Sequence, residues 1–279
     1  MLMRKIKKVL KWLGAMLLVF VISFLGTAAA NDSLSVDQIL TGTKEIVSLG
    51  ENQVSQRNSL SQGIDAMESN STLNRLERVF FLKQAVNARI NSANYVKLQD
   101  IPESMQQAVV AVEDRKFYNH WGFDMEGIFR ASLVNLQYGQ VKEGASTITQ
   151  QLVKNLFLSQ EQTMGRKAEE FVLAMDMELN YSKDEILELY LNTIYFGSGY
   201  YGIKEASEGY FGKDPAMLAL PEAAMLAGIP NAPSLYSPYV DFMLAKKRQF
   251  IVLDAMTAAG YLRESVANDA KIKPIYLAH

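Results

Sequence analysis

The chain has 279 residues, 49% of them hydrophobic, which is enough to bury a core in one large or two small domains and excludes a disordered protein. No Cys is present, which excludes disulfides and thiolate metal sites, and two His are too few for a His-rich metal cage. The formal charge is -2, but Arg4, Lys5, Lys7, Lys8 and Lys11 crowd the N-terminus; beyond them 23 basic residues face 30 acidic ones, a balance of -7 that disfavours nucleic acid as a partner.

Residues 1–31 carry these five cations and no acid, and Trp12 to Asn31 is an uncharged run of twenty, mostly apolar. At about 1.5 Å per residue such a helix reaches roughly the 30 Å of a bilayer core. Positive charge before the span keeps the N-terminus cytoplasmic and places the rest outside the cell membrane. A cleaved signal peptide is the competing reading, because Leu13 to Leu25 has h-region length and Ala28-Ala29-Ala30 offers a cleavage site. Either way the chain beyond residue 31 is exported.

Residues 32–95 are rich in Ser, Asn and Gln. Val36, Ile39 and Leu40, then Leu73, Leu76, Val79, Phe80, Leu82 and Val86, fall at helical spacing and predict a polar helical stalk or jaw around a linker from Gln53 to Asn70. From residue 96 to 265 the helical pattern strengthens and strand-like alternation is scarce, so the fold class is mainly α, and 266–279 reads as a C-terminal tail. Ser182-x-x-Glu185 is a capping box opening a helix that carries Ile186, Leu187, Tyr190, Leu191 and Ile194 on one face. Pro221 suits a first helical turn, Gly228 and Pro230 close that segment, and Lys246 to Ala259 predicts a further helix ended by Gly260. Gly197 to Gly202 and Gly209 to Gly212 are expected as turns between helices.

Four polar clusters lie between Glu113 and Asn192. Glu113 follows the apolar run Ala108 to Val112 at the end of an expected buried helix. Partial burial there raises a carboxyl above its usual value of about 4.3 and makes it a better base near neutral pH. The plainer reading is a helix-end charge paired to Arg115, and His120 reads more simply as a hydrogen-bonding residue than as a catalyst. Gln150, Gln151, Lys154 and Asn155 share a polar face of a helix begun near Ser146 to Thr149, with Leu152, Val153, Leu156 and Phe157 on its buried side. Arg166 and Lys167 precede Glu170 by four and three residues, which also describes a solvated salt bridge. The segment from Gly122 to Gly144, with Phe123, Met125, Ile128, Phe129, Leu133 and Val134, carries more apolar surface than a loop needs, although an ordinary core helix would look the same.

Glu-Asp-Arg-x-Phe-x-x-His-x-Gly-x-Asp at 113–124, Gly-Ala-Ser-Thr-Ile-Thr-Gln-Gln-Leu-Val-Lys-Asn at 144–155, Arg-Lys-x-x-Glu at 166–170, Ile-Leu-Glu-x-Tyr-Leu-Asn at 186–192 and Asn231-Ala-Pro-Ser resemble, in that order, the family 51 peptidoglycan glycosyltransferases. The resemblance implies a lysozyme-like, mostly α-helical glycosyltransferase domain behind the N-terminal transmembrane helix and helical stalk. It implies inverting polymerisation of lipid II into β-1,4-linked glycan strands, with release of undecaprenyl pyrophosphate, at the outer, periplasmic face of the bacterial cytoplasmic membrane. Glu113 then matches the general base and Glu170 the glutamate that assists the leaving group, through a divalent cation such as Mg2+ or Mn2+ where one is used. Asp114, His120, Ser146, Gln151, Lys154, Asn155, Arg166 and Lys167 match substrate-binding positions, and the segment after Gly122 resembles a membrane-touching region. No organic cofactor is implied. The implied partners are lipid II, the growing glycan strand, the membrane and other cell-wall synthesis proteins.

Gln162 and Glu169 depart from the family pattern where Arg and Lys are common, which bears on pyrophosphate affinity. No Ser is followed three residues later by Lys and no Lys-Thr-Gly occurs, so a penicillin-sensitive transpeptidase is not expected and the activity is read as monofunctional. Cleavage of peptidoglycan by a lysozyme-like enzyme and an inactive envelope scaffold are the two competing functions.

Overall fold

The computed structural model describes residues 81–138, 146–158 and 164–278. The expected membrane segment, the stalk up to residue 80 and Gln162 lie outside these. Among the described residues there are eleven α-helices, four short 3-10 turns and no strand, only an isolated antiparallel bridge between Tyr195 and Tyr201. None of the described helices is long and apolar enough to cross a membrane.

In chain order the helices are α1 (Leu82–Asn87), α2 (Glu103–Glu113), α3 (Met125–Tyr138), α4 (Ile148–Phe157), α5 (Met164–Asn180), α6 (Lys183–Thr193), α7 (Gly202–Phe211), α8 (Leu220–Gly228), α9 (Pro233–Tyr236), α10 (Phe242–Ala258) and α11 (Glu264–Ile272). They divide into two compact units. The larger takes in Leu82–Leu158 and Glu170–His279, and the other takes in Met1–Phe81 with Ser159–Glu169. Of the second, Phe81 and the first turns of α5 are described, including Arg166, Lys167 and Glu169.

At the centre of the larger unit α8 is buried along its whole length from Pro221 to Gly228. Apart from Glu222, which accepts from the Ala219 N–H and pairs with Lys213, its residues are apolar and offer no solvent face, and Ala223, Ala224, Ala227 and Gly228 are small enough to admit close neighbours. Those neighbours are α2, which buries Met105, Ala108 and Val109, and α10, which buries Val252, Leu253 and Met256; the two also pack on each other. Each of these larger side chains contributes roughly 1.5–3 kcal/mol by leaving water. Beside this trio α4 packs on α6. As expected, Pro221 lies in the first turn of α8, and α6 opens with the capping box of Ser182 and Glu185.

Three expectations need correction. Gly209 is not in a turn; it lies inside α7, where an added Cβ would fall 2.2 Å from the Tyr200 ring, so the missing side chain lets that ring pack on the helix. The chain after residue 265 is no simple tail, because α11 runs to Ile272 with Ala267 and Ala270 buried, and the Ala278 N–H donates to the Tyr210 carbonyl at 2.8 Å. Small residues make an apolar face that periodicity of large side chains does not reveal. Residues 82–95, placed with the stalk, belong to the larger unit: Leu82 and Val86 are buried, Asn94 donates to Glu205 at 2.8 Å, and Tyr95 donates to Glu188 at 2.8 Å.

Candidate active site

Glu113 ends α2, and its side chain is almost wholly buried, 6% exposed. Its Oε2 accepts from Gln151 Nε2 at 2.8 Å, while Oε1 is buried without a hydrogen-bond partner. Arg115 is exposed, so the cation facing Glu113 is not the near neighbour but Arg248 of α10, whose Nη2 stands 4.0 Å from Oε1. Burial pushes the Glu113 carboxyl above its ordinary value of 4.5, against the lowering influence of Gln151 and Arg248. An anion so desolvated is a stronger base than a free glutamate.

The orientation of Gln151 is set from behind. Tyr190 on α6 is fully buried, and its hydroxyl donates to Gln151 Oε1 at 3.1 Å, which turns the amide NH2 toward Glu113. Burial and the Glu113 and Asp114 charges raise the Tyr190 phenol well above its usual range, so it remains a donor throughout ordinary pH. Four helices, α2, α4, α6 and α10, thus meet at one carboxylate.

Asp114 and His120 are buried against each other, with His120 Nε2 donating to both Asp114 oxygens at 2.9 Å. Asp114 Oδ2 also accepts from the Ile148 N–H at 3.0 Å, one of the otherwise unpaired donors at the start of α4. The Thr147 N-cap completes that end: its hydroxyl accepts from the Gln150 N–H and donates to the Gly122 carbonyl, and the Gln150 side chain returns to the Thr147 N–H. Gln150 is therefore buried in a capping box and does not share the outward polar face expected for it. Lys154, Asn155 and Ser146 are exposed, and Gln151 is half-buried.

The fourth cluster clamps rather than reacts. Glu188 accepts from the Tyr95 hydroxyl and from the Leu98 N–H at 2.7 Å, and Asn192 pairs with both the N–H and the carbonyl of Val96 at 2.7 and 2.8 Å. A second brace centres on Glu178, whose Oε1 accepts from the Gly122 N–H, the Thr149 hydroxyl and Lys183. The sequence reading did not single out Glu178 or Arg248. Glu178 sits in an unremarkable helical run, and Arg248 follows Lys246 and Lys247 as if in a solvated basic stretch.

Arg166 and Lys167 lie in the first turns of α5, and Glu170, 2% exposed, follows within the same helix. Glu169, where the family pattern has Lys, is buried too. Among the described residues no group of three or more His, Cys, Asp or Glu side chains could hold a metal ion.

A helical domain with a buried, oriented carboxylate beside a polar helix terminus has the parts for acid–base chemistry. The family model described as Transglycosylase matches residues 82–257, more than half of the chain, and the chain belongs to that family of glycosyltransferases. It is 46% identical over 181 residues to penicillin-binding protein 1A of Aquifex aeolicus (strain VF5), covering 65% of this chain and 25% of that protein. It is 50% identical over 162 residues to penicillin-binding protein 1A of Neisseria gonorrhoeae, covering 58% and 20%. The chain thus spans a quarter or less of these relatives' length. A crystal structure of penicillin-binding protein 1A from Haemophilus influenzae matches with a TM-score of 0.40 and 24% identity, covering 66% of this chain and 18% of that one.

Proposed function

We propose that the chain is a peptidoglycan glycosyltransferase that polymerises lipid II at the outer face of the bacterial cytoplasmic membrane. The observation that carries this reading is the state of Glu113: one oxygen is held by Gln151 and the other is buried without a hydrogen-bond partner, in a chain whose family match spans this residue.

In the proposed reaction the 4-hydroxyl of the acceptor sugar attacks the donor's anomeric carbon. The new C–O bond forms as the bond to pyrophosphate breaks, the hydroxyl proton passes to Glu113, and undecaprenyl pyrophosphate leaves with the electron pair. Attack from the face opposite the leaving group inverts the centre to a β-1,4 linkage. Pyrophosphate leaves as an anion and needs cations more than a proton donor, which suits Lys154, Arg166 and Lys167 as its holders. Ser146 and Asn155 are assigned to substrate binding with them. Glu170 assists departure, and a bound Mg2+ or Mn2+ there would neutralise charge on the phosphates.

Met125 and Phe129 in the first turns of α3 are 65% and 66% exposed, and Trp121 just before it is 66% exposed. This favours a membrane-contacting lip over the core-helix reading of that segment, and is consistent with a lipid-linked substrate. The test is to supply the full chain with purified lipid II or with isolated sacculi. Polymer growth that Glu113→Gln abolishes supports the reading; glycan release without growth would replace it with a cleaving enzyme, and no reaction on either would leave a scaffold.

A further inference from the structure

Arg248 belongs to none of the four clusters, yet it reaches the carboxylate at their centre. Its guanidinium is held on three sides. Nε donates to the Gly228 carbonyl at 3.3 Å, the Tyr236 ring lies 5.5 Å from Cζ, and Nη2 stands 4.0 Å from Glu113 Oε1. The stem passes directly over α8 at Gly228, where an added Cβ would fall 2.7 Å from Arg248 Cγ. Only a residue without a side chain leaves that path open.

From this geometry we infer that Arg248 is a positioning residue for the base, delivered through the gap at Gly228 to hold Glu113 ionised until the acceptor hydroxyl arrives. The inference rests on Glu113 being the base. The separation from Oε1 exceeds a hydrogen bond, so the guanidinium attracts the carboxylate without occupying the oxygen that must take the proton. Among the described residues the groups facing Glu113 are Gln151 from α4, Tyr190 from α6, Arg248 from α10 and its chain neighbour Asp114. Of these Arg248 alone is a cation, so it alone counters burial and the Asp114 charge by charge.

The experiment uses the full chain carrying 13C-labelled glutamate, with the Glu113 carboxyl signal assigned by its loss in Glu113→Gln. Its titration is followed alongside the pH profile of kcat/KM for lipid II. In Arg248→Met the Glu113 titration and the acid limb of the profile both move upward by roughly one pH unit. The rate below the limb falls about tenfold and recovers as pH is raised. Arg248→Lys keeps most of the charge and moves the limb less. An unmoved Glu113 titration in folded Arg248→Met, or a rate loss equal at every pH, overturns the inference. If Arg248→Met shows no cooperative thermal transition, Gly228→Ala carries the test, since its methyl displaces the Arg248 stem; an unmoved titration there is equally fatal. If the titration moves but wild type makes no polymer, the functional reading fails and the electrostatic role of Arg248 stands.

Discussion

Replacing Tyr190 by Phe isolates one hydrogen bond from everything else at the site. The ring is fully buried and Phe fills nearly the same volume, so no cavity opens and the change is confined to the donor that meets Gln151 Oε1 at 3.1 Å. A buried amide oxygen left without its donor costs about 1–3 kcal/mol, which lowers Tm by several degrees for a domain of this size. The same loss frees the Gln151 amide to turn over and present its oxygen to Glu113 Oε2, where it now donates at 2.8 Å. If one to two kcal/mol of that orientation is felt in the transition state, kcat falls by roughly 5–30-fold with little change in KM. The assays are a thermal melt and lipid II polymerisation at saturating substrate, each repeated in a Gln151→Leu background. There the hydroxyl has no amide to orient, and the second substitution should add almost nothing. Wild-type kcat in Tyr190→Phe, or effects that simply add in the double variant, would refute the chain of contacts from Tyr190 to Glu113.

Glu113→Gln is expected to melt at a higher temperature than wild type at pH 8 and at nearly the same temperature at pH 4. The folded-state value of Glu113 lies above its ordinary 4.5 because of burial, so the folded protein binds this proton more tightly than the unfolded chain, and stability falls as pH rises from 4.5 through the raised value. Glu188→Ala combined with Asn192→Ala should release residues 95–98 from α6, where they are now held through the Tyr95 hydroxyl, both Val96 backbone groups and the Leu98 N–H. Amide exchange at Val96 and Leu98 should accelerate by at least tenfold, and unchanged protection would show that the clamp is redundant. Trp121→Glu with Phe129→Glu should reduce sedimentation with phospholipid vesicles by severalfold while leaving the melting temperature within about 2 °C, since both side chains are exposed; equal binding would remove the membrane from the role of that lip.

Local grammar carried most of the fold in the sequence. The capping box at Ser182 and Glu185, Pro221 in the first turn of α8 and Gly260 after α10 are each decided by residues within one helical turn. The same holds for Glu113, since the apolar run before it is enough to bury it. What could not be read was the part that depends on one helix leaving room for another. Gly209 looks like a turn residue until the Tyr200 ring is placed against it, and Gly228 looks like a helix stop until the Arg248 stem crosses it. Arg248 lies more than a hundred residues from Glu113, and nothing in the spacing of Lys246, Lys247 and Arg248 marks the third as the one that reaches it. Gln150 misled for a local reason, because the same side chain that fits an outward polar face also closes a capping box with Thr147.

With Glu113 in its proposed role as base, its two oxygens explain why the site should spend so many polar residues on support. A base must be fixed in direction yet free to accept, and a carboxylate meets both demands when its oxygens are treated differently. Gln151 bonds Oε2 and so sets the plane of the group, while Arg248 stands beyond hydrogen-bond range of Oε1 and leaves its lone pairs unspent. Had Arg248 come close enough for a bidentate pair, the charge would have been held more firmly and the proton refused. Had it been absent, burial would have kept the group protonated to a higher pH. The separation across Gly228 places the site between these limits, and it is a property of the contact between α8 and α10 rather than of any motif in the chain.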